Sequence, residues 1–109
     1  MSVISTVSVS QASTNTSTLV AGSKLTAWQG MAVSYTIVNA GADTIQWAVY
    51  GANTSDLSDK VLLQALADVA KDATASYSAF VAPYSYYCVN IKSKVNDTPG
   101  TVTVRGVVK

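Results

Sequence analysis

The sequence contains no histidine and no glutamate, a single cysteine, and only 12% charged residues among 109. Histidine is the side chain best suited to general base catalysis near neutral pH and the commonest metal ligand, so its absence argues against acid/base and zinc chemistry. The one cysteine, Cys88, cannot form an internal disulfide, and nothing therefore requires an oxidising compartment. We expect no enzymatic activity, no metal site and no cofactor.

The sequence also lacks a strong charge bias, long apolar runs and a basic leader. A net charge of +1 does not supply the basic stripe that binding to a phosphate backbone needs. No run approaches the 18 or so apolar residues of a membrane-spanning helix. The first residues alternate between polar and apolar, which is not the pattern of a signal peptide. We expect synthesis in the cytoplasm and no nucleic-acid or membrane partner.

What the sequence has is a large share of β-branched residues: valine, threonine and isoleucine supply 32 of the 109 positions, which favours strands. Period-two alternation and intervening turn residues indicate seven or eight strands in one domain, residues 1–109. We predict an all-β fold, an antiparallel β-sandwich or jelly roll, with residues 1–17 as an N-terminal arm or edge strand. The predicted strands cover residues 3–9, 18–21, 24–28, 31–37, 45–50, 86–95 and 101–105.

Two hairpins are predicted from the turn signals. Residues 31–51 form the first, because residues 39–43 are turn formers between two alternating runs. The last strands form the second, with a type II turn at residues 98–101 and a bulge at Gly106. Residues 10–17 are polar and without periodicity, and are read as a loop or flexible arm.

The alternation also assigns faces to the side chains. Tyr35 and Trp47 fall on inward positions and are predicted to lie in the core. Cys88 and Asn90 fall on the outward face of the penultimate strand, so Cys88 is interpreted as a small surface or interface residue.

Residues 59–71 fit two structures. Ser58 or Asp59 would cap a helix over residues 59–70 that presents Leu62 and Leu66 on one face. A strand would instead place Leu63 and alternate residues on one face. We favour the strand because tertiary context commonly overrides propensity over a short segment, and the short helix stays open.

The acidic residues offer two candidate sites, each with an ordinary structural explanation. Asp56 and Asp59 lie in an oxygen-rich loop that could bind calcium, although turn formation accounts for the same residues. Asp68 and Asp72 are four positions apart and could be considered as the carboxylate pair of a glycosidase. No third acidic residue and no sign of a pocket accompany them, so this interpretation is not favoured. Neither site is predicted to be functional.

Aromatic and basic side chains at outward or loop positions are the best candidates for an interaction surface. Trp28 and the tyrosines are favoured as anchors of a protein interface, or else as stacking platforms for sugar rings. Three cations are expected to gather on the face of the last hairpin. The candidate interface residues are Trp28, Tyr50, Tyr84, Tyr86, Lys92, Lys94 and Arg105.

Two segments carry a resemblance to a known class of proteins. Residues 84–95, followed by residues 99–104 and Lys109, resemble the last hairpin of small virion proteins of tailed bacteriophages. Residues 45–53, with the sequence IQWAVYGAN, are similar to the central strand and following loop of those proteins. The resemblance covers about half of the chain and implies a head decoration, or cement, protein.

Members of that class are non-enzymatic β-sandwiches that assemble symmetrically on a capsid lattice. The resemblance therefore implies a homo-oligomer, trimeric by analogy, with the major capsid protein or another virion protein as its partner and the virion as its location. Low surface charge suits such repeated contacts, because charged residues are depleted at the centres of interfaces. The alternative function is a carbohydrate-binding or adhesion module that uses Trp28, Tyr84 and Tyr86.

Overall fold

The computed structural model describes residues 5–28, 30–41, 43–79, 81–94 and 101–109. The start of the first predicted strand and most of the type II turn predicted at residues 98–101 lie outside these residues. Those that are described contain nine strands and no helix. The strands are β1 (Ser5–Ala12), β2 (Thr18–Leu19), β3 (Leu25–Thr26), β4 (Val33–Asn39), β5 (Ile45–Ala52), β6 (Val61–Val69), β7 (Thr74–Ala79), β8 (Tyr86–Ser93) and β9 (Thr101–Val108).

The strands form two antiparallel sheets. Sheet I has the order β1-β9-β4-β7, and sheet II has the order β2-β8-β5-β6, with β3 also paired to β8. The chain repeatedly passes from one sheet to the other, and only β2–β3 and β5–β6 are consecutive strands of one sheet. The short strands β2 and β3 both pair with β8 and together take the place of one edge strand, so the two sheets have the strand order of an eight-stranded jelly roll. The predicted all-β sandwich is thus confirmed.

Both predicted hairpins are wrong, although their strands are present. β4 pairs with β7 and β9 rather than with β5, and β8 and β9 lie in different sheets. Alternation indicates which face of a strand is buried, but it does not identify the neighbouring strand. In the observed order β4, β5, β8 and β9 are all inner strands, so their backbone groups are paired on both edges.

The ambiguous segment at residues 59–71 is a strand, as favoured. β6 pairs with β5 from Ile45 opposite Val69 to Gly51 opposite Val61, with register shifts between Trp47 and Tyr50 of β5. The polar segment after Val9 also differs from the loop that was predicted. β1 continues to Ala12 as an edge strand of sheet I, paired along its length with β9.

The core lies between the two sheets and contains the aromatic residues predicted there. Trp47 is 1% exposed and Tyr35 is fully buried. The Tyr35 hydroxyl donates a hydrogen bond of 2.6 Å to the carbonyl of Ser23, and burial raises the pKa of Tyr35 far above its usual value. The hydroxyl is therefore neutral, and its hydrogen bond to Ser23 connects the core with the loop before β3.

Gly106 does not mark a bulge, since β9 keeps an unbroken register with Val7 on one side and Tyr35 on the other. A Cβ atom at this position would lie 2.7 Å from Cε1 of Tyr35 and 2.8 Å from Cδ1 of Leu25. The glycine is required because the Tyr35 ring occupies the space where a side chain would be.

Candidate interaction surface

One strand of the described residues carries three exposed apolar side chains: β6, which is an edge strand of sheet II. Val61, Leu62 and Leu66 are 43%, 53% and 39% exposed. Lys60 precedes the strand and Asp68 lies near its end, but residues 61–67 carry no charge. Sheet edges are usually protected by charged residues, proline, short length or bulges, because an unpaired edge can bind another strand. Of these protections, residues 61–67 have only bulges. We call this feature the free edge of β6.

The register shifts between β5 and β6 explain why leucines are left in solvent. Tyr50 is opposite Leu62 and Trp47 is opposite Ala67, so β6 uses six residues where β5 uses four. Such bulges break the strict alternation of faces. Leu63 packs against the core, whereas Leu62 and Leu66 remain exposed. The bulges therefore leave the free edge apolar instead of turning its leucines inward.

The outer face of sheet II is more tightly packed than its sequence suggests. Tyr50 is opposite Cys88, and Tyr86 is opposite Ala52, so that a large side chain stands beside a small one in both pairs. Cys88 and Ala52 are fully buried, and Ala48 is 1% exposed. The prediction that Cys88 is a surface residue is wrong, because alternation does not account for neighbouring tyrosines that exclude water from a small side chain.

Lysine side chains cover these tyrosines. The Lys24 ammonium lies 5.6 Å from the centre of the Tyr86 ring, and that of Lys60 lies 5.3 Å from the centre of the Tyr50 ring. Both distances are within the range of cation–π attraction. Together with two lysines at the far end of β8, they define what we call the cationic face of sheet II: Lys24, Lys60, Lys92 and Lys94.

The one acidic partner described on the cationic face is Asp68. Its carboxylate forms an ion pair with Lys94 and accepts a hydrogen bond of 3.1 Å from the side chain of Gln46. The hydrogen bond from Lys94 is the main reason why the pKa of Asp68 is lowered, followed by that from Gln46. Asp72 lies in the turn after β6, with a positive φ of 60°, and neither of these bonds involves it.

Two side chains of this face, Cys88 and Asn90, are buried and not positioned for reaction with a ligand. Burial raises the pKa of the Cys88 thiol, an effect that nearby Lys60 only partly opposes, so the thiol is neutral and poorly nucleophilic. Asn90, also predicted to point outward, is 7% exposed and donates to the Ser17 hydroxyl at 3.2 Å. Its side-chain oxygen is buried without a described hydrogen-bond partner.

The outer face of sheet I is made mainly of hydroxyl groups. Arg105, on its second strand, is the only charged side chain among the strand residues of this face. Lys92 and Lys94 belong to sheet II, so the prediction that these three cations gather on one hairpin face is wrong. We call this surface the hydroxyl face, after its ten serines and threonines: Thr6, Ser8, Ser10, Ser34, Thr36, Thr74, Ser76, Ser78, Thr101 and Thr103.

The remaining aromatic candidates lie near one end of the sandwich. Trp28 is 69% exposed and Val81 is 67% exposed, and their loops are joined through Met31, which donates to the carbonyl of Trp28 and accepts from the amide of Ala82. Tyr84, in contrast, is half-buried and packs edge-on to Tyr87, with 6.2 Å between ring centres. Trp28 is thus available to a ligand, whereas Tyr84 packs partly against the core.

The carboxylates of the loop after β5 bind the loop itself. Asp59 accepts hydrogen bonds from the amides of Asn53 and Thr54 and from the Thr54 hydroxyl, the last at 2.7 Å. The Thr54 hydroxyl is the main cause of a lowered pKa at Asp59. Asp56 accepts from the amide of Ser58 in the same loop. Across the described ranges no three acidic or cysteine side chains cluster as metal ligands would.

Comparison with known proteins gives structural matches only. No protein-family model matches the sequence, and no curated protein sequence matches it. Among solved structures, a protein of the Bacillus endospore appendages, described as a novel family of disulfide-linked pili, superposes with a TM-score of 0.61 at 13% identity, over 97% of this chain and 86% of that one.

Two further structures have similar folds. PirA gives a TM-score of 0.54 at 13% identity, over 89% of this chain and 90% of that one. The SPBc2 prophage-derived protein YomS gives 0.53 at 12% identity, over 99% and 97% of the two chains. At such low identity these likenesses show the shared fold alone. The described residues also contain no helix long and apolar enough to cross a membrane.

The free edge of β6 was not among the residues singled out from the sequence. Its signal is the run Val61, Leu62 and Leu63, with Leu66 following, which places apolar side chains on both faces of a strand. That pattern is expected of a strand buried on both faces. Only the topology reveals that β6 is an edge strand, where the same residues are exposed.

Proposed function

We propose that this protein is a non-enzymatic structural subunit that associates with copies of itself through the free edge of β6. The observation that carries the proposal is an uncharged edge strand whose Val61, Leu62 and Leu66 are exposed. Strand addition at such an edge satisfies unpaired backbone groups and covers apolar side chains at once. One of the structural matches belongs to appendages described as disulfide-linked pili, which is consistent with this role.

Association has to be noncovalent in the folded protein. The pili of the matching structure are described as disulfide-linked, whereas the only cysteine of this chain, Cys88, is fully buried. Its raised thiol pKa further opposes disulfide exchange. Self-association should therefore be reversible and insensitive to reducing agents.

The experiment is sedimentation over a concentration series, with a matched pair of variants. Leu66→Lys places a charge on the free edge, and Leu19→Lys makes the same change on β2, at the opposite edge of sheet II. Both leucines are 39% exposed, so the two variants differ in location and not in burial. We expect Leu66→Lys to abolish association and Leu19→Lys to preserve it. A wild-type protein that stays monomeric at millimolar concentration would refute the proposal.

We further propose that the assembly is a bacteriophage particle and that the protein is a decoration subunit of its head. The sequence resemblance described above supports this placement, and a prophage-derived protein is among the structural matches. The test is co-sedimentation with capsids that lack their decoration protein. Saturable binding is expected. If the protein binds no capsid or tail component, the proposed place in a phage particle is wrong, and the protein is instead a structural subunit of another assembly.

A carbohydrate-binding role is the second candidate, because Trp28 is 69% exposed at the end of the sandwich. Exposed tryptophan can stack on sugar rings. Saturable binding in a glycan screen that Trp28→Ala abolishes would support this role. Tyr86→Ala is the comparison variant, since Lys24 lies over that ring and limits its use for stacking.

A further inference from the structure

The segment from Lys60, just before β6, to Asp68 is arranged symmetrically about Gln64. Lys60 lies four positions before Gln64 and Asp68 four positions after it. Leu62 and Leu66 lie two positions to either side, and both are exposed. Antiparallel pairing of two copies of one strand reverses one sequence against the other. Such pairing about Gln64 would therefore bring unlike charges together at both ends.

We propose that two copies of this protein pair their β6 strands antiparallel about a twofold axis at Gln64, which joins the two copies of sheet II into one sheet. Lys60 of each copy then lies opposite Asp68 of the other, and Leu62 lies opposite Leu66. The inference rests on the proposed self-association and specifies its geometry. It replaces the trimer implied by analogy with a dimer as the unit of assembly.

The occupant of the free edge is a second copy because the strand complements itself. A twofold interface uses the same surface on both subunits. If residue i of one copy lies opposite residue j of the other, then residue j of the first copy also lies opposite residue i of the second. Cross-strand pairs of opposite charge and pairs of apolar side chains both stabilise antiparallel sheets. Asp68 is free to take part, because its side chain is 48% exposed despite the ion pair with Lys94.

Pairing about Gln64 joins only residues 61–67 of the two strands, a stretch that contains the register shifts, so the interface is small, below the roughly 1,200 Å² found for stable complexes. We therefore expect a dissociation constant of about 10 to 100 µM, well within reach of sedimentation at high concentration. On a lattice or filament, such a weak contact is multiplied by the number of subunits.

Oxidative cross-linking tests the twofold axis directly. Gln64→Cys would place two thiols opposite each other, about 4.5 to 5.5 Å apart between Cα atoms, which is within disulfide range. We expect rapid formation of a covalent dimer under mild oxidation. The wild-type protein is the control, because the buried Cys88 is expected to give no cross-link.

The register has its own control. Leu62→Cys alone should not cross-link, since the two thiols would be four residues apart along the strand, about 13 Å. Leu66→Cys alone should fail for the same reason. A mixture of the two variants should yield the mixed dimer, because position 62 of one copy lies opposite position 66 of the other.

Charge reversal provides a test without cysteines. Lys60→Asp places two carboxylates opposite each other at both ends of the pair and should weaken association roughly tenfold at low salt. The additional change Asp68→Lys in the same chain should bring the affinity back to within about threefold of wild type. Failure of the double variant to recover would count against the register.

The outcomes separate this inference from the proposed function. Association that Leu66→Lys blocks, without any cross-link from Gln64→Cys, would overturn the twofold register and leave self-association standing. A wild-type monomer at every concentration would overturn both. Cross-linking of Leu62→Cys with itself would indicate a different register and would also refute this one.

Discussion

The outer faces of the two sheets use different side chains in a protein with few charges. The hydroxyl face of sheet I consists of short polar groups, and Ser10 and Thr103 share a hydrogen bond of 3.0 Å between their hydroxyls. The outer face of sheet II instead builds a second packed layer, in which Tyr50 and Tyr86 stand beside small residues and carry lysines above them. Mutations should therefore be tolerated on sheet I and costly at the centre of sheet II.

The largest effect is expected from a lysine placed on an inner strand of each face. Ala48 of sheet II is 1% exposed, and Ala48→Lys must displace packed neighbours or bury an ammonium group, at a cost of about 3 kcal/mol in the free energy of unfolding. Ser34 of sheet I is half-buried, and Ser34→Lys should cost less than about 1 kcal/mol. Urea denaturation measures both. Equal losses would show that the two faces do not differ in packing.

A second comparison uses two buried asparagines, one in each sheet. The Asn39 side chain donates to the carbonyls of Asp43 and Val69 and accepts from the amide of Gly41. Asn39→Leu leaves these groups without partners and should lower the free energy of unfolding by about 3 kcal/mol. The same urea titration reports the loss.

For Asn90→Leu the expected change is within about 1 kcal/mol, because the buried oxygen of Asn90 has no described partner to lose. Its single donor bond goes to Ser17, whose side chain is exposed and can bond to water instead. A loss as large as that of Asn39→Leu would mean that the Asn90 oxygen is hydrogen-bonded in solution.

The smallest effect concerns single charges on the two faces. Lys94→Gln should raise the pKa of Asp68 toward its usual value, because the Lys94 hydrogen bond is the main cause of the lowering. A lowered pKa in the folded state stabilises the protein above the unfolded-state pKa, and that contribution disappears as the pH falls through the folded-state pKa. The two proteins should therefore differ slightly in stability at pH 6 and converge as the pH falls through the folded-state pKa of Asp68.

Arg105→Gln is the control on the hydroxyl face. No carboxylate in the described part of the chain forms an ion pair with Arg105, so the carboxyl pKa values followed by NMR should stay unchanged. A shift at any aspartate after Arg105→Gln would reveal a charge contact across the hydroxyl face and weaken the contrast with sheet II.

The sequence was informative about strands and core, and much less so about partners. The alternation of Val33, Tyr35 and Ile37 predicted an inward face that is indeed fully or almost fully buried. Which strand lies next to β4 depends on pairing across distant parts of the chain, and local turn residues favoured the wrong neighbour. Period-two patterns give the orientation of side chains, while topology is decided by the burial of the whole sandwich.

The candidate surface shows the same limit. Trp28 was recognised from the sequence as an outward residue and is 69% exposed. Cys88 was placed outside and is buried, because the sequence does not reveal that Tyr50 will stand opposite it. The sequence predicts Leu62 and Leu66 to be apolar residues of a strand or helix. Their exposure follows from the register shifts and the edge position of β6 together.

The position of β9 has a consequence for how the chain folds. β9 is the last strand along the described chain, yet it lies between β1 and β4 at the centre of sheet I. During translation β1 and β4 therefore have no common neighbour until residues 101–108 have left the ribosome. Folds that depend on such distant pairings form slowly. We therefore expect sheet I to stay open between β1 and β4, and the sandwich to stay incomplete, until β9 has been synthesised.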